Sequence, residues 1–131
     1  MEATGPSALA RSFFEAYGRG DADAVRAALA GDLVAYVTTA DGGADRVEGR
    51  DAYLARLPDL RAAGGALDVT QVLEVDAEHV LAMVEIRASR GEARLHNHAA
   101  FLARIEAGGI TRLWMVEAQP AHSHEFWAPE P

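Results

Sequence analysis

Two glutamates, Glu85 and Glu117, stand in strand-like stretches whose other residues are mainly apolar. A carboxyl group in an apolar cavity has a raised pKa, which suits it to exchange a proton with a bound molecule. Tyr36, in an earlier strand-like stretch, could donate a hydrogen bond to a ligand oxygen. These three residues are the candidate catalytic groups. The alternatives are a glutamate that pairs with Arg87 or Arg112 at the rim of a cavity, and a tyrosine that only packs in the core.

The segment His96-Asn97-His98 places two imidazoles on one face of a predicted strand, a spacing that can bind zinc or another divalent metal. His122 and His124 repeat the spacing near the C-terminus. The spacing fixes no third ligand, so we predict neither a metal site nor a cofactor. Asn97 alternates with the histidines and should face a cavity, where its amide could orient a ligand or complete a buried hydrogen-bond network. A β-bulge in this strand would reverse the two faces.

Composition narrows the chemistry that these residues can share. The chain of 131 residues has no cysteine, and its twelve basic side chains are all arginine. Thiolate nucleophiles, disulfides and lysine Schiff bases are therefore excluded. The net charge of −8 argues against nucleic acid or an anionic membrane as a partner. No apolar run approaches a membrane span and no secretion signal is visible, so we expect a cytoplasmic protein.

The order of apolar residues predicts the elements that would position the candidate groups. Apolar spacing and turn residues predict helices at residues 7–17, 22–30 and 50–57, the first two capped by Ser7 and Asp21. Alternation predicts strands at residues 32–38, 67–75, 80–88, 93–105 and 110–119, with a loop at residues 40–45. This order predicts an α+β fold in which helices pack on one face of a curved, mostly antiparallel sheet.

The C-terminal residues after Pro120 are predicted to be irregular, although they contain the apolar pair Phe126-Trp127. This pair could anchor the C-terminus against its own domain or against a second subunit. Alternatively, it could cover the mouth of a cavity.

Four short motifs resemble the nuclear-transport-factor-2-like superfamily, which includes ketosteroid isomerase, limonene epoxide hydrolase and the SnoaL-like polyketide cyclases. The motifs lie at residues 20–25, 31–33, 47–53 and 109–114, and the ending at residues 113–127 resembles the SnoaL-like bacterial branch. The resemblance implies one cone-shaped domain over residues 1–131, with its core at about 7–119 and a tail at 120–131. Three N-terminal helices would pack on the concave face of the sheet and enclose an apolar pocket.

The family's catalytic residues do not carry over to this chain. Ketosteroid isomerase requires a tyrosine and two aspartates at positions that match Phe13, Val37 and Phe101, all of them apolar here. Limonene epoxide hydrolase uses a relay of an acid, an arginine and a second acid. Glu85 matches one acid, but Met83 and Met115 occupy the positions of the arginine and the second acid. The resemblance therefore implies the pocket without either of these mechanisms.

The same alignments imply which residues look into the pocket. The expected inward residues of the later strands are Met83, Glu85, Phe101, Leu113, Met115 and Glu117. The candidate ligand-binding residues are Asn97, Phe13, Tyr17, Met83, Phe101 and Met115. His96, His98 and Trp114 should lie on the convex face and contact a second copy of the chain.

These features favour a SnoaL-like protein that holds a small apolar molecule and could act on it as an enzyme. The fitting chemistries are cofactor-free isomerisation, cyclisation, dehydration or hydrolysis. The alternative is a non-catalytic dimeric binding or interaction module that binds its partner through the convex face of the sheet.

Overall fold

A computed structural model describes residues 5–128. Four helices and six strands follow one another in the order α1 (Pro6–Arg19), α2 (Ala22–Ala28), β1 (Leu29–Thr38), β2 (Ala44–Glu48), α3 (Arg50–Arg56), β3 (Ala66–Glu74), β4 (His79–Arg90), β5 (Ala93–Glu106), β6 (Gly109–Glu117) and α4 (Pro120–Trp127). None of the helices in this part of the chain is long and apolar enough to cross a membrane.

The six strands form one curved, open sheet in the order β2-β1-β6-β5-β4-β3. Every neighbouring pair is antiparallel except β1 and β6, which run parallel. Because β6 pairs with β1, the last strand lies beside the first, and β6 is an interior strand of the sheet. The predicted α+β fold with a mostly antiparallel sheet is confirmed.

The N-terminal helices begin and end at residues suited to those positions. Gly20 closes α1 in the left-handed conformation, with φ of 75°, and its N–H donates to the last carbonyls of the helix. The side chain of Asp21 accepts from the N–H of Ala24 and so caps α2. The predicted cap by Ser7 is wrong, because α1 begins one residue earlier at Pro6, whose fixed φ suits the first helical position.

The structure corrects three further boundaries. The second helix ends at residue 28 rather than 30, and β1 begins three residues earlier than predicted. The predicted loop at residues 40–45 contains the start of β2, which pairs with β1 but buries only Val47. A strand with one buried residue leaves almost no alternation in the sequence, so the pattern could not reveal it.

A further correction concerns the C-terminal segment, which is helical. Pro120 occupies the first turn of α4, and one side of the helix buries Ser123 and Phe126. A helix of eight residues is marginal in isolation, so it is tertiary packing that stabilises it. The predicted irregular tail is therefore wrong.

The core lies between α1 and the concave face of the sheet. Phe13 and Phe14 pack edge to face with their ring centroids 4.8 Å apart, and the ring centroid of Phe14 lies 4.7 Å from that of Phe101. Leu33 and Leu113 are fully buried on the same face. These three aromatic rings also line a cavity between the helices and the sheet.

Candidate functional site

A cavity of about 460 Å³ opens between the concave face of the sheet and helices α1, α3 and α4. This volume lies within the range of small-molecule sites. Most of its lining is apolar and includes Phe13, Phe101, Met115, Ile86 and Trp127. A pocket of this kind favours a ligand whose surface is largely apolar.

The cavity brings together most of the residues that the sequence proposed for ligand binding. Phe13, Tyr17, Asn97, Phe101 and Met115 all border it. The expectation that Met83 faces the cavity is wrong: its side chain lies on the opposite, convex face of the sheet and is 38% exposed.

Glu117, the last residue of β6, brings a carboxyl group to the cavity. The hydroxyl of Ser123, on α4, donates to its Oε1 at 3.2 Å. Burial raises the pKa of Glu117 above its ordinary value, while the hydroxyl of Ser123 and the nearby imidazole of His124 act in the opposite direction. The result is a carboxyl group that can change its protonation state closer to neutral pH than an exposed glutamate does.

Asn97 brings an amide to the same cavity and is only 1% exposed. Its Oδ1 accepts from the backbone N–H of His98 at 2.9 Å and from that of Gln119 at 3.0 Å. Its Nδ2 is buried and has no hydrogen-bond partner among residues 5–128. A buried donor without a partner is rare, and here the orientation of the amide is fixed by two backbone donors, so Nδ2 remains available to a molecule in the cavity.

Two tyrosines border the cavity from the helical side. The hydroxyl of Tyr17 donates to the carbonyl of Pro58 at 2.6 Å. Burial raises the pKa of Tyr17 and of Tyr53 well above the usual range, so both phenols stay neutral. The hydroxyl of Tyr17 is already committed to the backbone, which makes its ring, rather than its proton, its contribution to the lining.

Helix α4 covers one side of the cavity, and its two aromatic residues have different positions. Phe126 packs with Ala63, Ala88 and Leu95 in a small separate core, whereas Trp127 borders the cavity. Arg90 holds the end of the helix by donating from Nη2 to the carbonyl of Phe126 at 2.6 Å and to that of Ala128 at 2.9 Å. Phe126 therefore anchors α4 on its own domain, and Trp127 forms part of the cavity wall.

Glu85 lies outside the cavity, so the expectation that it faces inward is wrong. In the antiparallel pairing of β4 with β5, Glu85 stands opposite His98, and its Oε2 lies 2.5 Å from Nε2 of His96 and 2.7 Å from Nη2 of Arg87. The hydrogen bond from His96, together with the positive charge of Arg87, holds the pKa of Glu85 below its ordinary value. Glu85 is an ionised carboxylate of the convex face.

Tyr36 also lies on the convex face, against expectation. It stands opposite Trp114 in the parallel pairing of β1 with β6, and the two rings are stacked with centroids 6.0 Å apart. The neighbouring Val37 takes the position on β1 that borders the cavity. Successive side chains of a strand point to opposite faces, so an error of one residue moves a side chain across the sheet.

The positions matched to the ketosteroid isomerase residues do lie around the cavity. Phe13, Val37 and Phe101 border it from α1, β1 and β5. All three are apolar, so the cavity has no proton-transfer group at these positions. Glu117 and Asn97, which the sequence also proposed, provide polar groups at a different place on the wall.

Comparison with known proteins agrees with this architecture. The SnoaL-like domain family matches residues 10–113. An uncharacterised protein of Mycobacterium tuberculosis is 35% identical over 123 residues, which are 92% of this chain and 94% of that protein.

Two solved structures show the same fold. Bal32a, from a soil-derived mobile gene cassette, superposes with a TM-score of 0.80 at 18% identity and covers 93% of this chain and 95% of its own. A protein of Jannaschia sp. CCS1, assigned as a SnoaL-like polyketide cyclase, gives a TM-score of 0.71 at 12% identity and covers 99% of this chain and 98% of its own. Together with the match over residues 10–113, the extent of the mycobacterial similarity establishes that this chain belongs to the SnoaL-like domain family.

Proposed function

We propose that this protein binds a small, largely apolar molecule carrying a hydrogen-bond acceptor and performs cofactor-free acid–base chemistry on it. The observation that carries the proposal is the pairing, in one apolar cavity, of an unpartnered buried donor with a carboxyl group of raised pKa. The donor is Nδ2 of Asn97 and the carboxyl group is that of Glu117. The assignment of a structural neighbour as a polyketide cyclase is compatible with this class of chemistry.

The sheet register brings the two groups close to each other. Glu117 on β6 stands opposite Ala99 on β5, and Asn97 is two residues before Ala99 on the same face. Diagonal neighbours of this kind have Cα atoms about 7–8 Å apart. A ligand lying on Phe101 and Met115 can therefore contact both groups at once.

The two groups suit proton transfer next to a carbonyl. A hydrogen bond from Nδ2 of Asn97 to a carbonyl oxygen would stabilise the negative charge that develops there when a neighbouring carbon loses a proton. Glu117, when ionised, would accept that proton and could return it to another atom of the same molecule. Isomerisation, cyclisation and dehydration share this step, so the site defines the class of reaction rather than one substrate.

The alternative function is binding without catalysis. It is favoured by the hydrogen bond from Ser123, which would reduce the tendency of Glu117 to accept a proton from a ligand. The two functions share the cavity and the donor and differ only in the part played by Glu117.

A ligand screen tests the proposal. Purified protein would be heated with cyclic ketones, enones, esters and phenols small enough for the cavity, with matched hydrocarbons as controls. We expect the oxygenated compounds to raise Tm, since a ligand that binds only the folded state stabilises it. Hydrocarbons of the same shape should raise Tm less. Equal shifts for both sets, or none, would contradict a site built around a hydrogen-bond donor.

We further propose that the convex face contacts a second copy of the chain. A continuous row of large side chains crosses five strands on this face, in the order Leu73, Leu81, Leu102, Trp114 and Tyr36. An apolar surface of this extent is typical of a protein interface, and two-fold symmetric dimers are the commonest assembly.

The next row of the same face provides a test. Val116 stands opposite Ala100, which stands opposite Met83, and Val116 is 66% exposed. The Val116→Glu variant is expected to fold normally and to behave as a monomer in light scattering after gel filtration, whereas the unaltered protein should be a dimer. Ala27→Glu, which adds the same charge at an exposed residue of helix α2, away from the sheet, is the control and should stay dimeric. A monomeric unaltered protein would overturn this part of the proposal.

A further inference from the structure

The convex face contains a second group of potentially reactive side chains, which the cavity does not use. Glu85 stands opposite His98, and Arg87 stands opposite His96, so the pleat of the sheet places all four side chains on one surface. One ligand atom from each of Glu85, His96 and His98 lies within 4.8 Å of the other two. The sequence suggested the two histidines but provided no third ligand, because Glu85 was expected inside the cavity.

We propose that Glu85, His96 and His98 bind a divalent transition-metal ion, with zinc as the best match. Two imidazoles and one carboxylate are a donor set that zinc accepts, and three protein ligands leave its fourth position open to water or another molecule. The site lies on the convex face, opposite the cavity, and does not depend on the ligand or the chemistry proposed for the cavity.

The three ligand atoms lie close enough together for one ion to bind between them once the side chains rotate. Oε2 of Glu85 lies 2.5 Å from Nε2 of His96 and 3.7 Å from Nε2 of His98. Bonds of about 2.0–2.1 Å to a tetrahedral zinc ion place neighbouring ligand atoms about 3.4 Å apart, between the two observed distances. Both histidine side chains are 54% exposed, so the small rotations that equalise the distances meet little resistance.

The carboxylate of Glu85 already supplies the negative charge that a metal site needs. The Glu85 side chain is 19% exposed and is in contact with both histidines through the same oxygen. Arg87, which donates to that oxygen at 2.7 Å, is the competitor of a metal ion. Its guanidinium also lies 3.8 Å from Asp68, and its side chain is 57% exposed, so it can move toward Asp68 when an ion takes its place. Binding would therefore exchange one cation for another.

Metal titration of protein purified without a histidine tag tests this site. Isothermal titration with zinc chloride, followed by elemental analysis, is expected to show saturable binding of one ion per chain. Outer-shell substitutions at metal sites weaken binding by about 10–100-fold, so removal of a direct ligand in His96→Ala or His98→Ala should weaken it by at least about 100-fold. Glu85→Gln should also weaken it, because an amide is a poorer ligand for zinc than a carboxylate.

The matched control is His79→Ala, which removes a histidine that pairs with Asp76 elsewhere on the domain. This variant should bind zinc as the unaltered protein does, and circular dichroism should show that all variants are folded. Absence of saturable binding, or binding that survives both His96→Ala and His98→Ala, would overturn the proposal.

Discussion

Turnover by the Glu117→Gln variant is expected to fall by a factor of about 10²–10⁴, the usual contribution of a general acid or base. Glutamine has nearly the same shape as glutamate, and its Oε1 can still accept the hydrogen bond that Ser123 donates to Oε1 of Glu117. The substitution therefore removes the exchangeable proton and leaves the wall of the cavity in place. The measurement is the rate of conversion of a ligand identified by the screen, with binding of that ligand measured in parallel.

The matched control is Glu74→Gln, the same chemical change at an exposed residue of β3. It should leave turnover unchanged. Retention of activity in Glu117→Gln would remove Glu117 from the mechanism. Unchanged binding with no turnover in either protein would favour the non-catalytic alternative.

The same variant has a second expected effect, on the pH dependence of stability. Burial raises the pKa of Glu117 in the folded protein above its value in the unfolded chain. The unfolded chain therefore loses this proton first as the pH rises, and the stability contributed by the protonated group is lost as the pH passes through the folded pKa. As the pH rises from the ordinary glutamate pKa through the raised pKa of Glu117, the unaltered protein should lose stability relative to Glu117→Gln. Urea unfolding of both proteins across this range measures the difference, and parallel curves would contradict the raised pKa.

Where a prediction rested on the alternation of apolar residues, it gave the correct face of the later strands. In β4 the apolar residues Val80, Ala82, Val84 and Ile86 alternate, and this alternation alone places Glu85 on the opposite face from the core. The prediction for Glu85 followed an alignment with distant relatives instead. Since an alignment error of one residue reverses every side chain of a strand, a weak alignment is a poor guide to which face a residue occupies.

Other features of the site could not be obtained from the sequence because they arise from contacts between distant residues. Alternation in β5 predicted that Asn97 faces inward, but not that the N–H of Gln119, 22 residues later, occupies its oxygen. Helix α4 is stabilised by packing of Phe126 and by hydrogen bonds from Arg90, neither of which a propensity scale contains. The proposed metal site likewise depends on the pairing of Glu85 with His98 across two strands.

The Asn97→Leu variant is expected to be clearly less stable than the unaltered protein. Leucine has a similar volume but cannot accept the hydrogen bonds that the N–H groups of His98 and Gln119 donate. Each buried donor left without a partner costs about 1–3 kcal/mol, so two partly buried donors give an expected loss of about 2–4 kcal/mol in the free energy of unfolding. Urea unfolding measures this loss. Because the bond to Gln119 lies directly before α4, protease cleavage near the C-terminus should also become faster.

The Asn97→Asp variant distinguishes the structural role of Asn97 from its proposed contact with a ligand. The new carboxylate can accept both backbone hydrogen bonds, which favour its ionised form, whereas burial and the nearby Glu117 favour its protonated form. The comparison is therefore made at pH 8, where the variant is expected to be ionised and folded but less stable than the unaltered protein. It has no hydrogen to donate where Nδ2 of Asn97 stood, and a ligand oxygen would face a negative charge. Affinity for an oxygenated ligand should therefore fall by at least about tenfold, equivalent to about 1.4 kcal/mol, whereas affinity for the matched hydrocarbon should change less. If Asn97→Asp binds both ligands as the unaltered protein does, the amide serves only to hold the backbone of β5 and α4 together, and the unpartnered Nδ2 is not part of the binding site.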